Sequence, residues 1–361
     1  MIYALALLLA LLIDRTFGEP PLRLHPVVGM GNYLGWAGKR VQRVVSQTAL
    51  GEWPGQTGGP VAQAIQQVPD YKAFWLAALY WIGGAALFTI AAWWLEAAVL
   101  QLPWGLSGVA SAQAGAGFFA KGQPLLGAVL LALLLKPMLA WAMLQNEVRA
   151  VERALAESLQ AGRERLSWLV SRDTTTLSEA QVRESAIESL AENLNDSVVA
   201  PIFWFVLLGL PGAVAYRFVN TADAMWGYKG IYKGQNWEWA GKWAARVDDA
   251  LNWLPARLTG LLFLLVTRAH PGHQADGDGA LARLRHEAVK TPSPNSGWPM
   301  AAMALALGIR LGKPGVYVLN AAGAEPVAAD LDRALFHASK VLLALIPFAL
   351  IALYFRAWMV A

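Results

Sequence analysis

Long apolar runs separated by charged stretches dominate the pattern of the chain. A bilayer crossing needs about 20 largely apolar residues. Residues 73–95 carry no charge over such a length. Residues 125–144 are interrupted only by Lys136. Residues 341–355 are bracketed by Lys340 and Arg356, whose long side chains can snorkel to an interface. Residues 198–216 have the length of a span, but Gly209-Leu210-Pro211-Gly212 breaks them, which predicts a re-entrant hairpin. Three further apolar runs, 1–13, 258–267 and 299–309, are short for a crossing. They fit tilted spans, re-entrant pieces or buried core helices. The expectation is an all-α, polytopic integral membrane protein of about four to six membrane helices, with the hairpin and cytoplasmic amphipathic helices, in a single integral membrane domain over 1–361. No basic residue precedes the first run, and Asp14-Arg15 follows where a small-residue cleavage site would stand, so it reads as a retained helix.

Between the apolar runs the periodicity changes. Val148, Val151, Leu155 and Leu159 recur at helical spacing with Glu and Arg on the other faces, an amphipathic helix. Ser178 followed by Gln181 is a capping box, and Val182, Ala186, Leu190 and Leu194 give the next helix an apolar side. Residues 145–197 thus read as a cytoplasmic helical insertion, and 269–298 as a polar loop. Residues 51–60 are a loop by Gly and Pro content. Six Lys and Arg lie in 14–72 and six in 145–197, against one, Lys121, in 96–124. By the positive-inside bias the two rich segments face the cytoplasm and 96–124 faces outward.

Composition sharpens this. Hydrophobic residues make up 56% and charged residues 15%, where a soluble domain carries about 25% charged. Disorder, a collagen-like repeat and an ordinarily solvated globular enzyme are excluded. Trp occurs 17 times, suiting bilayer interfaces and large flat ligands. Cys is absent, which removes disulfides, thiolate metal sites and Cys nucleophiles. The net charge of +4 suits anionic headgroups or phosphorylated substrates and does not call for nucleic acid.

Candidate chemistry gathers at the ends of the apolar runs. Glu184, Glu188 and Glu192 are spaced to share one helix face, with Asn193 and Asp196 just before the run at 198. Such an oxygen-rich cluster suits Mg²⁺ held jointly with substrate phosphates. A solvated acidic stripe paired with Arg183 accounts for the same residues. Beyond the hairpin stand Tyr216, Asn220 and Asp223. If Gly209–Gly212 reverses the chain, Asp196 and Asn220 end on one side of the membrane, a place for a metal-bound triphosphate. Helix packing through Asn and Asp is the other reading. Asp248, Asp249, Asn252 and Arg257 precede another apolar run. Arg at a helix start opposes the dipole and hints at an anion, while Trp253 and Arg257 also fit interfacial anchoring. Ser293-Pro294-Asn295-Ser296-Gly297 precedes a helix with Pro299 at its first position, offering free N–H groups to phosphate. Simple capping explains it equally. His270 and His273, with Asp276 or Asp278, have metal-ligand chemistry, and a surface loop explains them better. No P-loop, G-x-S-x-G or H-E-x-x-H is present.

In order along the chain stand Asp14-Arg15, Gly18-Glu19-Pro20, His25-Pro26-Val27-Val28, Met30-Gly31, Arg172-Asp173-Thr174, Glu188 with Glu192-Asn193 and Asp196, and Val198 through Pro201. They continue with Asn220-Thr221, Asp223, Met225, Gly227-Tyr228, then Asp248-Asp249, Asn252-Trp253, Pro255, Arg257-Leu258, and Ser293-Pro294-Asn295 with Gly297. In this series the chain resembles the CobD/CbiB family, the adenosylcobinamide-phosphate synthases of cobalamin biosynthesis. The resemblance implies ATP- and Mg²⁺-dependent ligation of aminopropanol phosphate, or aminopropanol, to adenosylcobyric acid through an amide. It implies a multi-pass protein of the bacterial inner membrane with its site facing the cytoplasm.

On that resemblance Glu188, Glu192, Asp196, Asp223, Asp248 and Asp249 become catalytic candidates, with Glu192, Asp196 and Asp223 as metal ligands. Arg172, Asp173, Asn193, Asn220, Tyr228, Lys229, Asn252, Arg257, Ser293, Asn295 and Ser296 become candidates for holding ATP or substrate. Besides lipid, it leaves open a second copy of the chain and other corrinoid-pathway membrane enzymes as partners. Some positions depart from the pattern: Lys229-Gly230-Ile231 after Gly-Tyr, Leu194-Asn195 inside the Asn-to-Asp motif, and Tyr317-Val-Leu-Asn where Tyr-Gly-Gly is expected. Two other readings compete, an intramembrane Mg²⁺-dependent prenyltransferase and an AmpE-like membrane sensor. The prenyltransferase should show Asp-rich motifs on long spans. The sensor could dispense with the acidic cluster that this chain keeps.

Overall fold

The computed structural model describes residues 1–49, 69–101, 117–268 and 277–360. Among these residues the architecture is helical, with two small β-hairpins. Among the described residues four helical segments are long and apolar enough to cross a membrane: Tyr71–Gln101, Leu125–Glu157, Lys242–Thr267 and Ala328–Met359. The expected spans at 73–95 and 341–355 lie inside the first and last. The short run 258–267 is the end of the third, and 299–309 belongs to a buried helix, Gly297–Leu307.

Helix α1 (Ile2–Phe17) lies against α4 (Gly117–Leu135), with Ala6, Leu7 and Ala10 fully buried. Its far end is fixed by charge. Asp14 meets Lys136 at 3.3 Å and accepts a hydrogen bond from the Ala142 N–H at 2.8 Å. Glu19 meets the same ammonium at 2.7 Å and the His25 ring at 3.1 Å. The one charge in the run 125–144 is thus a buried cation held by two carboxylates. A tight 3-10 turn at Lys136–Met138 follows α4, and α5 (Trp141–Glu157) continues the segment. No helix boundary separates the apolar run from the amphipathic stretch at 145, so the insertion begins as the continuation of a span. Val148, Val151 and Leu155 are buried as their spacing predicts. Leu159 belongs instead to α6 (Leu159–Leu166), which Ser158 caps.

Helix α2 (Pro26–Ala49) and α3 (Tyr71–Gln101) pack beside one another. Helix α7 (Glu179–Leu194) starts with the expected capping box, the Ser178 hydroxyl accepting from the Gln181 N–H and the Gln181 side chain accepting from the Ser178 N–H. Beyond the apolar side, Glu184 and Glu188 are also buried, so this helix sits inside the fold rather than on its surface.

A π-turn at Asn195–Val199 joins α7 to α8 (Ala200–Leu208), and α9 (Leu210–Trp226) packs against α8. Gly209 breaks the pair with φ 74° and ψ −158°, a conformation that needs glycine. The chain reverses there as predicted. Ends of helices leave free N–H and C=O groups, which lipid cannot satisfy. At this break Glu96 of α3 accepts the Leu210 N–H, and Arg356 donates to the Phe205 and Val206 carbonyls at 3.3 and 3.1 Å. The Tyr3 hydroxyl donates to Glu96 at 2.8 Å.

The hairpin of β1 (Ile231–Tyr232) and β2 (Gln235–Asn236) leads into α10 (Lys242–Arg268). The region 269–298 is not a plain polar loop. It contains α11 (Gly277–Ala288), whose Leu284 and Ala288 are buried and which packs on α12 (Gly297–Leu307). His270, His273 and Asp276 lie outside the described residues. A second hairpin, β3 (Leu311–Lys313) and β4 (Tyr317–Leu319), lies beside α7. Helix α13 (Ala328–Val360) completes the bundle.

Candidate active site

Two adjoining polar regions form where α7, α9, α10 and the start of α12 meet. The first is a cavity of about 320 Å³. Its wall includes Arg172, Glu188, Ser189, Glu192, Asn193, Ser293, Ser296, Lys313 and Tyr317. Arg172 and the Glu188–Asn193 segment thus share one space with the distant Ser293–Ser296 loop. Arg172 donates to Glu188 at 2.9 Å and to the Ser185 hydroxyl at 3.2 Å. Asn193 donates to Ser189, at 2.9 Å to its carbonyl and 3.2 Å to its hydroxyl. Burial pushes the Glu188 carboxyl up, against the pull of Arg172. Glu192 is pushed up to about 7, first by burial, then by the negative charge of Glu188, with Asp223 and Asp248 adding to it.

The second region is a web of carboxylates and carboxamides. Asn220 of α9 donates to Asp196 at 3.4 Å and to Asp248 of α10 at 3.5 Å. The reversal at Gly209 therefore does what the sequence implies for Asp196 and Asn220. Asn252 donates to Asp248 at 2.9 Å and accepts from the Tyr216 hydroxyl and from Asn195, each at 2.9 Å. Asn195, the unusual residue of its motif, sits in the π-turn. From there it also donates to Asp196 at 2.8 Å and accepts from Thr259 at 3.0 Å. π-turns occur often at functional sites because they re-aim side chains without ending a helix. Arg217 donates to the Ser197 hydroxyl at 3.1 Å and to the Asp196 carbonyl at 3.4 Å, placing a cation under the web.

Several candidates serve the scaffold instead of facing a ligand. Glu184 shares the face of Glu188 but pairs with Arg310 at 3.1 Å. Arg183 pairs with Glu152 at 2.9 Å and Glu179 at 3.4 Å, so it does not neutralise an acidic stripe of Glu184, Glu188 and Glu192. Asp173 is an exposed turn-former whose carboxylate accepts from the Thr175 N–H and hydroxyl, which hold its pKa below the usual range. Asn295 is buried and its amide is spent within the fold, donating to the Asp249 carbonyl at 2.7 Å and accepting from Arg257 at 2.8 Å. Arg257 also donates to the carbonyls of Trp253 and Pro294, and stacks on the Trp253 ring. Both residues pin the Ser293–Ser296 loop to α10; neither is free to bind phosphate.

The loop itself faces the cavity through Ser293 and Ser296. Helix α12 begins at Gly297, so Pro299 is its third residue and not its first. The Ser296 side chain makes no capping bond. The Ser293 hydroxyl accepts from the N–H groups of Asn295 and Ser296, each at 3.2 Å. Gly297 is required because a Cβ there would strike the Ala288 carbonyl, a close approach to α11 and not to a ligand. Tyr228 stacks on Tyr232 with ring centres 3.6 Å apart, and Lys229 bears electrostatically on Asp249.

Among the described residues no three His, Asp or Glu side chains converge as a closed metal cage. The trio Glu192, Asp196 and Asp223 is therefore not a preformed site. The donor set still fits Mg²⁺, which takes one or two carboxylates and completes its shell with water and substrate phosphates.

A family model described as CobD/Cbib protein matches residues 7–345. The chain belongs to the CobD/CbiB family. It is 37% identical over 317 residues to the probable cobalamin biosynthesis protein CobD of Methanothermobacter thermautotrophicus, covering 87% of this chain and 86% of that protein. To the probable CobD of Thermococcus kodakarensis it is 39% identical over 328 residues, 91% of this chain and 88% of the relative. To the cobalamin biosynthesis protein CobD of Chromobacterium violaceum it is 40% identical over 313 residues, 86% and 81%. No solved structure matches the chain. It is a membrane protein of the cobalamin-biosynthesis CobD family, and both polar regions lie inside the matched span.

Proposed function

We propose that this protein joins the amine of aminopropanol phosphate to a carboxylate of adenosylcobyric acid, in an ATP- and Mg²⁺-dependent ligation that gives adenosylcobinamide phosphate, ADP and phosphate; free aminopropanol in the same reaction would give adenosylcobinamide. The observation that carries the reading is the shared cavity. Arg172, the Glu188–Asn193 segment and the Ser293–Ser296 loop converge there from three parts of the chain. A carboxylate is a poor acyl donor, and phosphorylation supplies its leaving group. The cavity offers what that needs, with phosphate donors and acidic groups side by side. Ser293 and Ser296 offer their hydroxyls to phosphate, while the Asn193 amide is held by Ser189 on the same wall. Glu192 and Asp196 are the carboxylates that would hold Mg²⁺ jointly with phosphate oxygens, and the chemistry so supplied would be neutralisation of phosphate charge. Asp248, Asn220 and Asn252 position Asp196 through the hydrogen bonds described above. A corrin with its side chains is far larger than 320 Å³, so the macrocycle stays outside and its reacting arm enters. The family resemblance supports a place in a bacterial inner membrane, and the distribution of basic residues supports a site that faces the cytoplasm.

The test is direct. Protein in detergent is mixed with adenosylcobyric acid, aminopropanol phosphate and Mg²⁺–ATP, then scored for cobinamide product and ADP. Stoichiometric appearance of both supports the reading, and Asp196→Ala should abolish them with the fold intact. Wild-type protein that forms neither product refutes it.

A further inference from the structure

The β3–β4 hairpin is not used by the function proposed above, yet it forms part of the cavity wall. Its register pairs Leu311 with Leu319 and Lys313 with Tyr317. Residues two apart along a strand share a face. Leu311 and Leu319 are fully buried, and the hairpin packs beside α7. The same face therefore carries an apolar anchor at its base and a Lys–Tyr pair at its tip, and both members of that pair line the cavity. The three-residue connection Pro314-Gly315-Val316 closes tightly, with Gly315 at φ 72° and the Val316 N–H bonded to the Lys313 carbonyl at 2.9 Å. This fixes where the ammonium is presented.

Charge then distinguishes the two cations of the wall. Arg172 is committed to Glu188. Lys313 forms no ion pair among the described residues, although it lies near enough to Glu188 to act on it electrostatically. A cation without a partner beside hydroxyl donors is a phosphate-binding arrangement. We propose that Lys313, presented with Tyr317 by the hairpin, binds the phosphate of a phosphorylated ligand in this cavity. That phosphate belongs to the nucleotide or to the phosphorylated amine. The inference rests on the function proposed above only for the identity of those ligands.

Two probes separate the sources, each titrated calorimetrically into detergent-solubilised protein: inorganic tripolyphosphate with Mg²⁺, and aminopropanol phosphate. Lys313→Ala should weaken at least one of them about tenfold, and Lys313→Arg should stay within about threefold of wild type. Lys313 is exposed, so its loss leaves the packing intact, which a thermal melt checks. Loss confined to tripolyphosphate places the nucleotide at Lys313. Loss confined to aminopropanol phosphate places the amine substrate there. Wild-type affinity of Lys313→Ala for both probes overturns the proposal, as does a wild type that binds neither, or equal loss in the Arg variant. Binding that depends on Lys313 in a protein that makes no cobinamide product would refute the ligase function and leave this inference standing.

Discussion

Removing Arg172 tests the electrostatics of the cavity. The Glu188 side chain is 2% exposed and Arg172 17% exposed, with 2.9 Å between them. Breaking a buried pair by deleting one partner costs about 3–5 kcal/mol. Water reaches the Arg172 side, so the lower part of that range applies, about 3 kcal/mol at pH 8. The cost depends on pH in a definite direction. Burial already raises the Glu188 pKa, and Arg172 is the largest opposing influence. Arg172→Ala raises it further. A carboxyl whose folded pKa exceeds its unfolded value binds more protons when folded. Stability therefore falls as pH rises from the unfolded pKa through the folded one. The deficit of Arg172→Ala, read as a melting temperature in detergent, should be small near pH 5 and grow toward pH 8. Adding Glu188→Gln removes the stranded charge, and the double variant should melt above Arg172→Ala at pH 8. A deficit that is flat between pH 5 and 8, or a double variant no better than the single, would refute the reasoning.

In the proposed function Glu192, at about 7, has to be ionised to hold Mg²⁺, so Mg²⁺–ATP should raise the melting temperature at pH 8 and fail to do so below about pH 6. Asp248→Asn removes a like charge that raises Glu192, and should extend the Mg²⁺ response to lower pH; an unmoved response sinks the coupling. Lys136→Met strands two carboxylates and should cost about 3–5 kcal/mol, whereas Asp14→Asn leaves the 2.7 Å pair with Glu19 and should cost less than half as much; equal melting temperatures would contradict the shared-cation picture. Single cysteines test orientation cleanly because the chain has none. An impermeant reagent on intact cells should label Ala112→Cys and miss Gln160→Cys, and the reverse pattern overturns the topology.

The features legible in the sequence are those set by local rules. The capping box at Ser178, the apolar side of α7 and the reversal at Gly209 follow from spacing and backbone freedom, and the reversal alone was enough to bring Asp196 to Asn220. What stayed hidden depends on partners far along the chain. Periodicity puts Glu184 and Glu188 on one face, but only the fold shows that Glu184 is spent on Arg310, 126 residues away. Arg257 and Asn295 carry motif chemistry and turn out to satisfy each other across 38 residues. Lys313 and Tyr317 were hidden for another reason. Their strands have three residues each, too short for an alternation to stand out. The helix within 269–298 was hidden by its charge, since among its described side chains only Leu284 and Ala288 of α11 are buried.

The tip of the α8–α9 hairpin bears on how the protein is assembled. Its stray backbone groups are satisfied by Glu96, made 114 residues before Leu210, and by Arg356, made 151 residues after Phe205. Translation thus delivers the hairpin after one of its caps and well before the other. In the interval the Phe205 and Val206 carbonyls need water or the insertion machinery, because lipid offers them no donor. The hairpin that sets Asp196 against Asn220 is therefore finished from outside itself. The capping of the hairpin tip is completed only by the docking of α13, a helix that contributes no side chain to the cavity wall.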